Sequence, residues 1–268
     1  MWTRALLKQN GRIAFQRNYW ACVAAAAITM LMYGGFSVGG GSGYTFREDY
    51  EQVQYGISEI YAAIMAIPFY LWIVIWIAAL VGFAIGLAIS VLVSNVALIG
   101  NSRYFLENRE HKTPVGQVFY GFQNGRYSTN VWVMFLRTLY IFLWSLLFII
   151  PGIVKSYSYM LVPYILAENT YLDRKRVFEL SSQMMYGHKW EAFVLGLSFL
   201  GWNLLGALTG GLVNIFFTNP YLYATRTEFY CALKAEARMK GILNSGELPD
   251  SLIEAERAEE DNYAGRTF

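Results

Sequence analysis

The chain has 268 residues, 56% of them apolar and only 15% charged, with a formal net charge of +2. A soluble domain carries about a quarter of its residues as charges, so this composition excludes one and points to a single polytopic membrane domain. The small net charge leaves no basic footprint for nucleic acid, and two cysteines, Cys22 and Cys231, leave no disulfide framework.

Taken in order, residues 3–17 place Arg4, Lys8 and Arg12 on one helical face and Trp2, Leu6 and Ile13 on a neighbouring one. This predicts a basic amphipathic helix, either lying on the membrane or simply leading in from the cytosol and setting orientation. The apolar run from Tyr19 starts too late and runs too long for a cleaved signal peptide, and residues 19–36 are the first expected span. The glycine-rich, acidic loop 34–52 follows on the far side. Within it Gly40, Gly41, Ser42 and Gly43 match the Gly-x-Ser-Gly string of rhomboid proteases, but His111 and His188 fall on the opposite side of the membrane, so a linker is expected.

Residues 57–100 are too long for one upright span. Residues 57–69 are read as interfacial, re-entrant or spanning, and 70–98 as one long tilted span. Gly82 and Gly86 within that span offer a close-packing groove. Val115, Val118, Phe119 and Phe122 keep the spacing of a second surface helix.

Residues 131–150 and 153–172 then form a transmembrane hairpin, each arm covering a hydrocarbon core of ~30 Å, with the reversal assigned to Pro151 and Gly152. A third surface helix around Val177, Leu180 and Met184 follows the basic run Arg174, Lys175 and Arg176. Residues 190–208 and 211–230 complete six spans, and the acidic tail 242–268 is expected to be disordered and cytoplasmic. On this map 18 of the 21 Lys and Arg residues lie on one side, which by the positive-inside rule is the cytoplasm and holds both termini.

Internal rhymes support repetition. Gln9-Asn10-Gly11-Arg12 recurs as Gln123-Asn124-Gly125-Arg126, and Ser94-Asn95 before Arg103 is echoed by Thr218-Asn219 before Arg226. They suggest three copies of a surface helix plus a hairpin; the alternative is that every hairpin entering from the cytosol needs a basic, aromatic doorstep.

Few residues in the spans carry chemistry. Arg137 and Glu168 lie at mirrored depths on the two arms of the central hairpin, which predicts an intramembrane charge pair. Arg137 snorkelling to the headgroups is the competing reading. Lys155 is placed at the outer boundary, against lipid phosphate or the acidic loop. Asn203, Asn214 and Asn219 with Tyr157 and Tyr159 line a polar cavity on one reading and make interhelical hydrogen bonds on the other. Paired-glutamate, His-x-x-x-His, Cys-x-x-Cys and phosphate-loop motifs are absent, so no enzyme, cofactor or metal site is expected.

Ile150-Pro151-Gly152-Ile153, Tyr157-Ser158-Tyr159, the run from Tyr164 to Asn169, Gly187-His188-Lys189-Trp190, Gly201-Trp202 and Pro220-Tyr221 resemble the domain-of-unknown-function family 975, multi-pass membrane proteins of Gram-positive bacteria. The opening Met1-Trp2-Thr3-Arg4 and Arg17-Asn18-Tyr19-Trp20 are similar to that family's start, and Asn169-Thr170 departs from its pattern. The resemblance implies fold and location, and no residue inherits a catalytic role. The expected function is a non-enzymatic envelope scaffold or accessory protein of the cell membrane. It would contact lipids and, through its surface helices and tail, a cytosolic protein. The alternative is a small transporter with a site around Arg137, Glu168 and the Asn/Tyr cluster.

Overall fold

The computed structural model describes residues 3–32, 68–123 and 125–249. The glycine-rich loop with Gly40 to Gly43, residues 57–67 and the tail 250–268 lie outside the described residues. Every element within them is a helix.

Helix α1, Arg4–Arg17, starts on Thr3, whose hydroxyl accepts from the Leu6 amide, as an N-cap should. Arg4 and Arg12 face out, but the core face is Leu7, Gly11, Ala14 and Phe15, while Leu6 and Ile13 of the expected apolar face are exposed. Helix α2, Tyr19–Met32, packs its alanines against α4. Helix α3, Phe69–Ile89, continues through a π-helical turn, Ser90–Ser94, into α4, Asn95–Glu110. The chain returns along α4 as a 3-10 turn, Val115–Phe119, and a short α5, Tyr120–Gln123.

The central hairpin is α6, Tyr127–Leu147, then α7, Ile149–Ser158, and α8, Val162–Glu168. Helix α9, Arg174–Met184, is capped by Asp173. The last hairpin is α10, Lys189–Leu197, and α11, Leu200–Leu208, followed by a second π-helical turn, Asn214–Thr218, and α12, Asn219–Met239. Both π turns end on the hydroxyl residue that precedes Asn95 or Asn219, the two sites that rhyme in sequence.

The reversal of the central hairpin lies at Phe148, which is extended, and not at Pro151 and Gly152. Pro151 sits in the first turn of α7, where a missing N–H costs nothing because that donor has no intrahelical partner. Gly152 serves contact instead. A β-carbon there would come within 2.7 Å of the Ser145 Cα, so its hydrogen lets the two arms touch.

Among the described residues four helical stretches are long and apolar enough to cross a membrane: Tyr70–Glu110, Tyr127–Leu147, Ile149–Glu168 and Lys189–Leu208. Residues 211–230 are not among them, because Asn214, Thr218, Asn219, Thr225, Arg226, Thr227 and Glu228 dilute the run. The apolar core is not centred on these stretches. It gathers where α4, α8, α9 and α12 meet, around Leu106, Ile165, Leu180, Phe229 and Leu233, while the large exposed side chains concentrate on α3 and the two hairpin tips.

The segment after α12, expected as the start of a mobile tail, is packed down as far as Pro249. Gly241, in the left-handed region at φ 67°, ends α12 and turns the chain back, with the Ile242 amide on the Ala237 carbonyl. Arg176 then grips Glu247 through Nε and Nη2 at 2.6 and 2.9 Å and also donates to the Ile242 carbonyl. Leu248 is buried, and Asn169 donates to the Glu247 carbonyl.

The Arg176 guanidinium holds the Glu247 carboxyl down to about 2 from its ordinary value of 4.5. A carboxyl whose pKa is lowered in the folded state stabilises above its ordinary value, and that contribution is lost as pH falls towards the folded one. Protection of residues 242–249 from hydrogen exchange, relative to the intrinsic rate at each pH, should therefore be high at pH 7 and fall between about pH 4.5 and 2, while Glu247→Gln should lack it at every pH. Unchanged protection in Glu247→Gln would show that the clamp does not hold the segment.

Candidate functional site

The polar groups that the fold brings together lie beneath the exposed apolar helices, on α4, α8 and α12. Arg103 and Glu107 are one turn apart on α4 and so share a face. Both are buried, 4% and 2% exposed, with Nε to Oε1 at 2.5 Å. Arg103 also donates through Nη1 to the Ala167 carbonyl at the end of α8, and its guanidinium lies 4.7 Å over the Tyr120 ring.

Glu168 closes α8 and faces α12. Its Oε1 accepts from Lys234 Nζ at 2.6 Å and its Oε2 from the Tyr230 hydroxyl at 2.9 Å. Tyr230 and Lys234 are again one turn apart, and Tyr230 stacks on Tyr164 with ring centres 5.1 Å apart. Lys234 reaches on to the Pro249 carbonyl, which ties the folded-back segment to the same carboxylate. A third pair, Arg109 Nε to Glu228 Oε1 at 2.8 Å, joins α4 to α12, and Arg17 of α1 donates to the Arg109 carbonyl.

Two buried pairs, Arg103–Glu107 within α4 and Lys234–Glu168 between α12 and α8, thus stand at the helix junction beside a third, Arg109–Glu228, whose arginine is half-exposed. Buried charges are tolerated when each meets an opposite charge and further hydrogen bonds, and here each pair also bonds a backbone or hydroxyl group of another element, or lies against one that does. A cavity of about 180 Å³ opens beside the cluster, lined by Arg109, Glu110, Glu168, Cys231, Lys234 and Arg238 among others. Another, of about 250 Å³, lies on the α1 side between Asn10, Arg17, Arg109 and Glu228. Burial pushes the Cys231 thiol up to about 12, so it stays protonated and weakly nucleophilic at neutral pH. Among the described residues no three His, Cys, Asp or Glu side chains group as metal ligands. The geometry does a joining job: it locks α4, α8 and α12 in register.

The family described as "Protein of unknown function (DUF975)" matches residues 57–237. The chain belongs to this family. No curated protein and no solved structure matches it. The part of this DUF975 protein that matches takes in Arg103, Glu107, Glu168, Glu228, Tyr230 and Lys234, and leaves out α1, α2 and the folded-back segment.

In place of a contact between Arg137 and Glu168, the structure gives Glu168 to Lys234 and Tyr230, and Arg137 Nε to the Tyr159 carbonyl at 2.8 Å. The mirrored-depth argument assumes one straight returning arm. The arm breaks between Ser158 and Val162, which re-aims Glu168 toward α12. Lys155 Nζ lies over the rings of Trp144 and Tyr159 at 5.2 and 5.6 Å.

The Asn/Tyr set is spread out. Asn203 is exposed on α11, and Asn214 packs on Gly206. Asn219 opens α12, Tyr157 meets Phe193, and Tyr159 packs between Tyr140 and Phe178. Sequence reasoning missed Glu107, Tyr230 and Lys234. The available signal was spacing, with Arg103/Glu107 and Tyr230/Lys234 each at i, i+4 beside apolar runs.

Proposed function

We propose that this DUF975 protein is a multi-pass protein of the cell membrane, with both termini cytoplasmic, that serves as a non-enzymatic scaffold or accessory protein. One observation carries this reading: apolar exposure and charge are separated. Trp76, Leu80 and Phe83 on α3, Leu146 to Ile150 on the central tip, and Leu204 and Leu208 on the last tip are exposed, whereas Arg103, Glu107, Glu168 and Lys234 are buried in ion pairs. Contiguous apolar surface of this extent needs a non-aqueous partner, and lipid is the partner that bilayer-length helices fit.

The transporter reading draws less support. It needs polar groups around a shared midplane cavity, whereas Asn203 is exposed, Asn214 packs on Gly206, and Tyr157 and Tyr159 meet different aromatic neighbours. The exposed charges of α1 and α9, Arg4, Arg12, Arg174 and Lys175, offer the surface for anionic headgroups or a cytosolic protein.

Two measurements on the full chain test the proposal. The protein should stay with the membrane pellet through an alkaline carbonate wash, and release into the supernatant would overturn membrane integration. In sealed vesicles Asn214→Cys should resist small water-soluble thiol reagents from both sides. Labelling from either side would put an aqueous cavity there and favour the transporter.

A further inference from the structure

We infer that the central and last hairpins are wedges that enter the acyl chains of one leaflet only, the cytoplasmic one, whereas α3 is long enough to reach across. The inference rests on the membrane reading above and refines it. It follows from where the two amphipathic helices are packed along the hairpin arms.

Helix α9 exposes Arg174, Lys175, Glu179 and Gln183, a face that has to stay at the headgroups or in water. Its inner face meets the central hairpin well along both arms. Phe178 packs on Tyr140 and Tyr159 with ring centres 5.4 and 5.2 Å apart, and Ser181 Oγ donates to the Ser158 carbonyl at 2.7 Å. Beyond this level only residues 141–157 remain, the end of α6 and nearly all of α7. At 1.5 Å per residue they reach ~10–14 Å. The charge within this stretch, Lys155, lies over the Trp144 and Tyr159 rings, and a lysine stem is long enough for its ammonium to reach toward the headgroups.

Helix α1 sets a similar limit on the last hairpin. Its Lys8 Nζ lies 4.9 Å over the Phe199 ring, the Lys8 carbonyl accepts from the Tyr221 hydroxyl, and Gly11 packs on the Thr225 backbone. With Arg4 and Arg12 exposed on its outer face, α1 cannot sink into hydrocarbon without desolvating them. Beyond Phe199 stand α11 and the turn that leads to the second π-helical turn, again ~14 Å.

A hydrocarbon core is ~30 Å thick, so each tip covers about half of it. The exposed apolar side chains concentrate in these stretches, Phe142 to Val154 on one tip and Leu197 to Leu212 on the other. By contrast α3 is exposed along its length and spans ~31 Å. Each hairpin is limited by a different amphipathic helix, the central one by α9 and the last one by α1. Wedges of this kind displace lipid from one leaflet and not the other, so the lipid surface they fit is one with spare area in its cytoplasmic leaflet.

The test is depth. Nitroxides are placed on Ile149→Cys, Leu208→Cys and, as a reference, Ile77→Cys of the full chain in sealed vesicles. The parent chain, with only Cys22 and Cys231, serves as the blank. The inference expects the labels at 149 and 208 to lie ~10–15 Å below the phosphates of the N-terminal side. It also expects them to be shielded from a membrane-impermeant nickel chelate on both sides. Collisions with chelate at the face opposite the N-terminus, at either position, would show a full crossing and overturn it. If the label at 77 also meets chelate, the membrane reading itself fails and the wedges fall with it. A variant that does not assemble can be replaced by labels on the equally exposed Phe148 or Leu204.

Discussion

Lys234→Met is expected to lower the stability of the folded protein by about 3–5 kcal/mol, because it leaves the Glu168 carboxylate buried without its cation. The lysine is buried and holds Glu168 at 2.6 Å. The Tyr230 hydroxyl remains, but one neutral donor does not offset a buried negative charge. Thermal unfolding in mild detergent should show a markedly lower midpoint for Lys234→Met. The Glu168→Gln/Lys234→Met double variant should recover most of the loss, since removing both charges leaves nothing unpaired. A single variant that melts with the parent would mean that the cluster is not what holds these helices together. A double variant that fails to recover would place the effect in lost packing.

Gly100→Ala is expected to cost about 1–3 kcal/mol or more, the usual range for overpacking a filled site, although alanine is the better helix former by about 1 kcal/mol. A β-carbon at Gly100 would lie 1.8 Å from the Val118 carbonyl oxygen. Because that neighbour is backbone, it cannot swing aside, and the 3-10 turn would have to lift off α4. Gly82→Ala and Gly86→Ala should be neutral to stabilising by the same unfolding measurement, since a β-carbon at either meets nothing within 4 Å among the described residues. The close-packing groove expected at Gly82 and Gly86 is therefore not where these helices touch. The touching glycines include Gly11, Gly100, Gly121, Gly152 and Gly206, and nothing in the local string Leu98-Ile99-Gly100 distinguishes Gly100 from the exposed pair.

The candidate site divides along the same line. Glu168 was legible as a charge with no business in an apolar run, and the depth argument looked for its partner across the hairpin turn. The partner came from 66 positions along the chain, on a helix that the apolar pattern extends only as far as Tyr230. Periodicity assigns a residue to a face of its own helix. Which other helix that face meets is a long-range matter that no local spacing encodes. The same limit explains Pro151 and Gly152, which as a dipeptide signal a turn and in the hairpin serve a first helical turn and a crossing point.

The apolar character and the helical class can be read from the residues alone, because both follow from sums over many positions: apolar content and helix-length runs. The amphipathic face of α9 follows for the same reason, since Val177, Leu180 and Met184 repeat over two turns, whereas on α1 the contacts with other helices chose Leu7, Gly11, Ala14 and Phe15 over the expected Leu6 and Ile13. Only the tertiary structure decided how far each apolar arm stands clear of the polar helices, which acid meets which base, and that residues 242–249 fold back onto α9 and α12. Those outcomes depend on single contacts between distant segments, made only after the helices have chosen their neighbours.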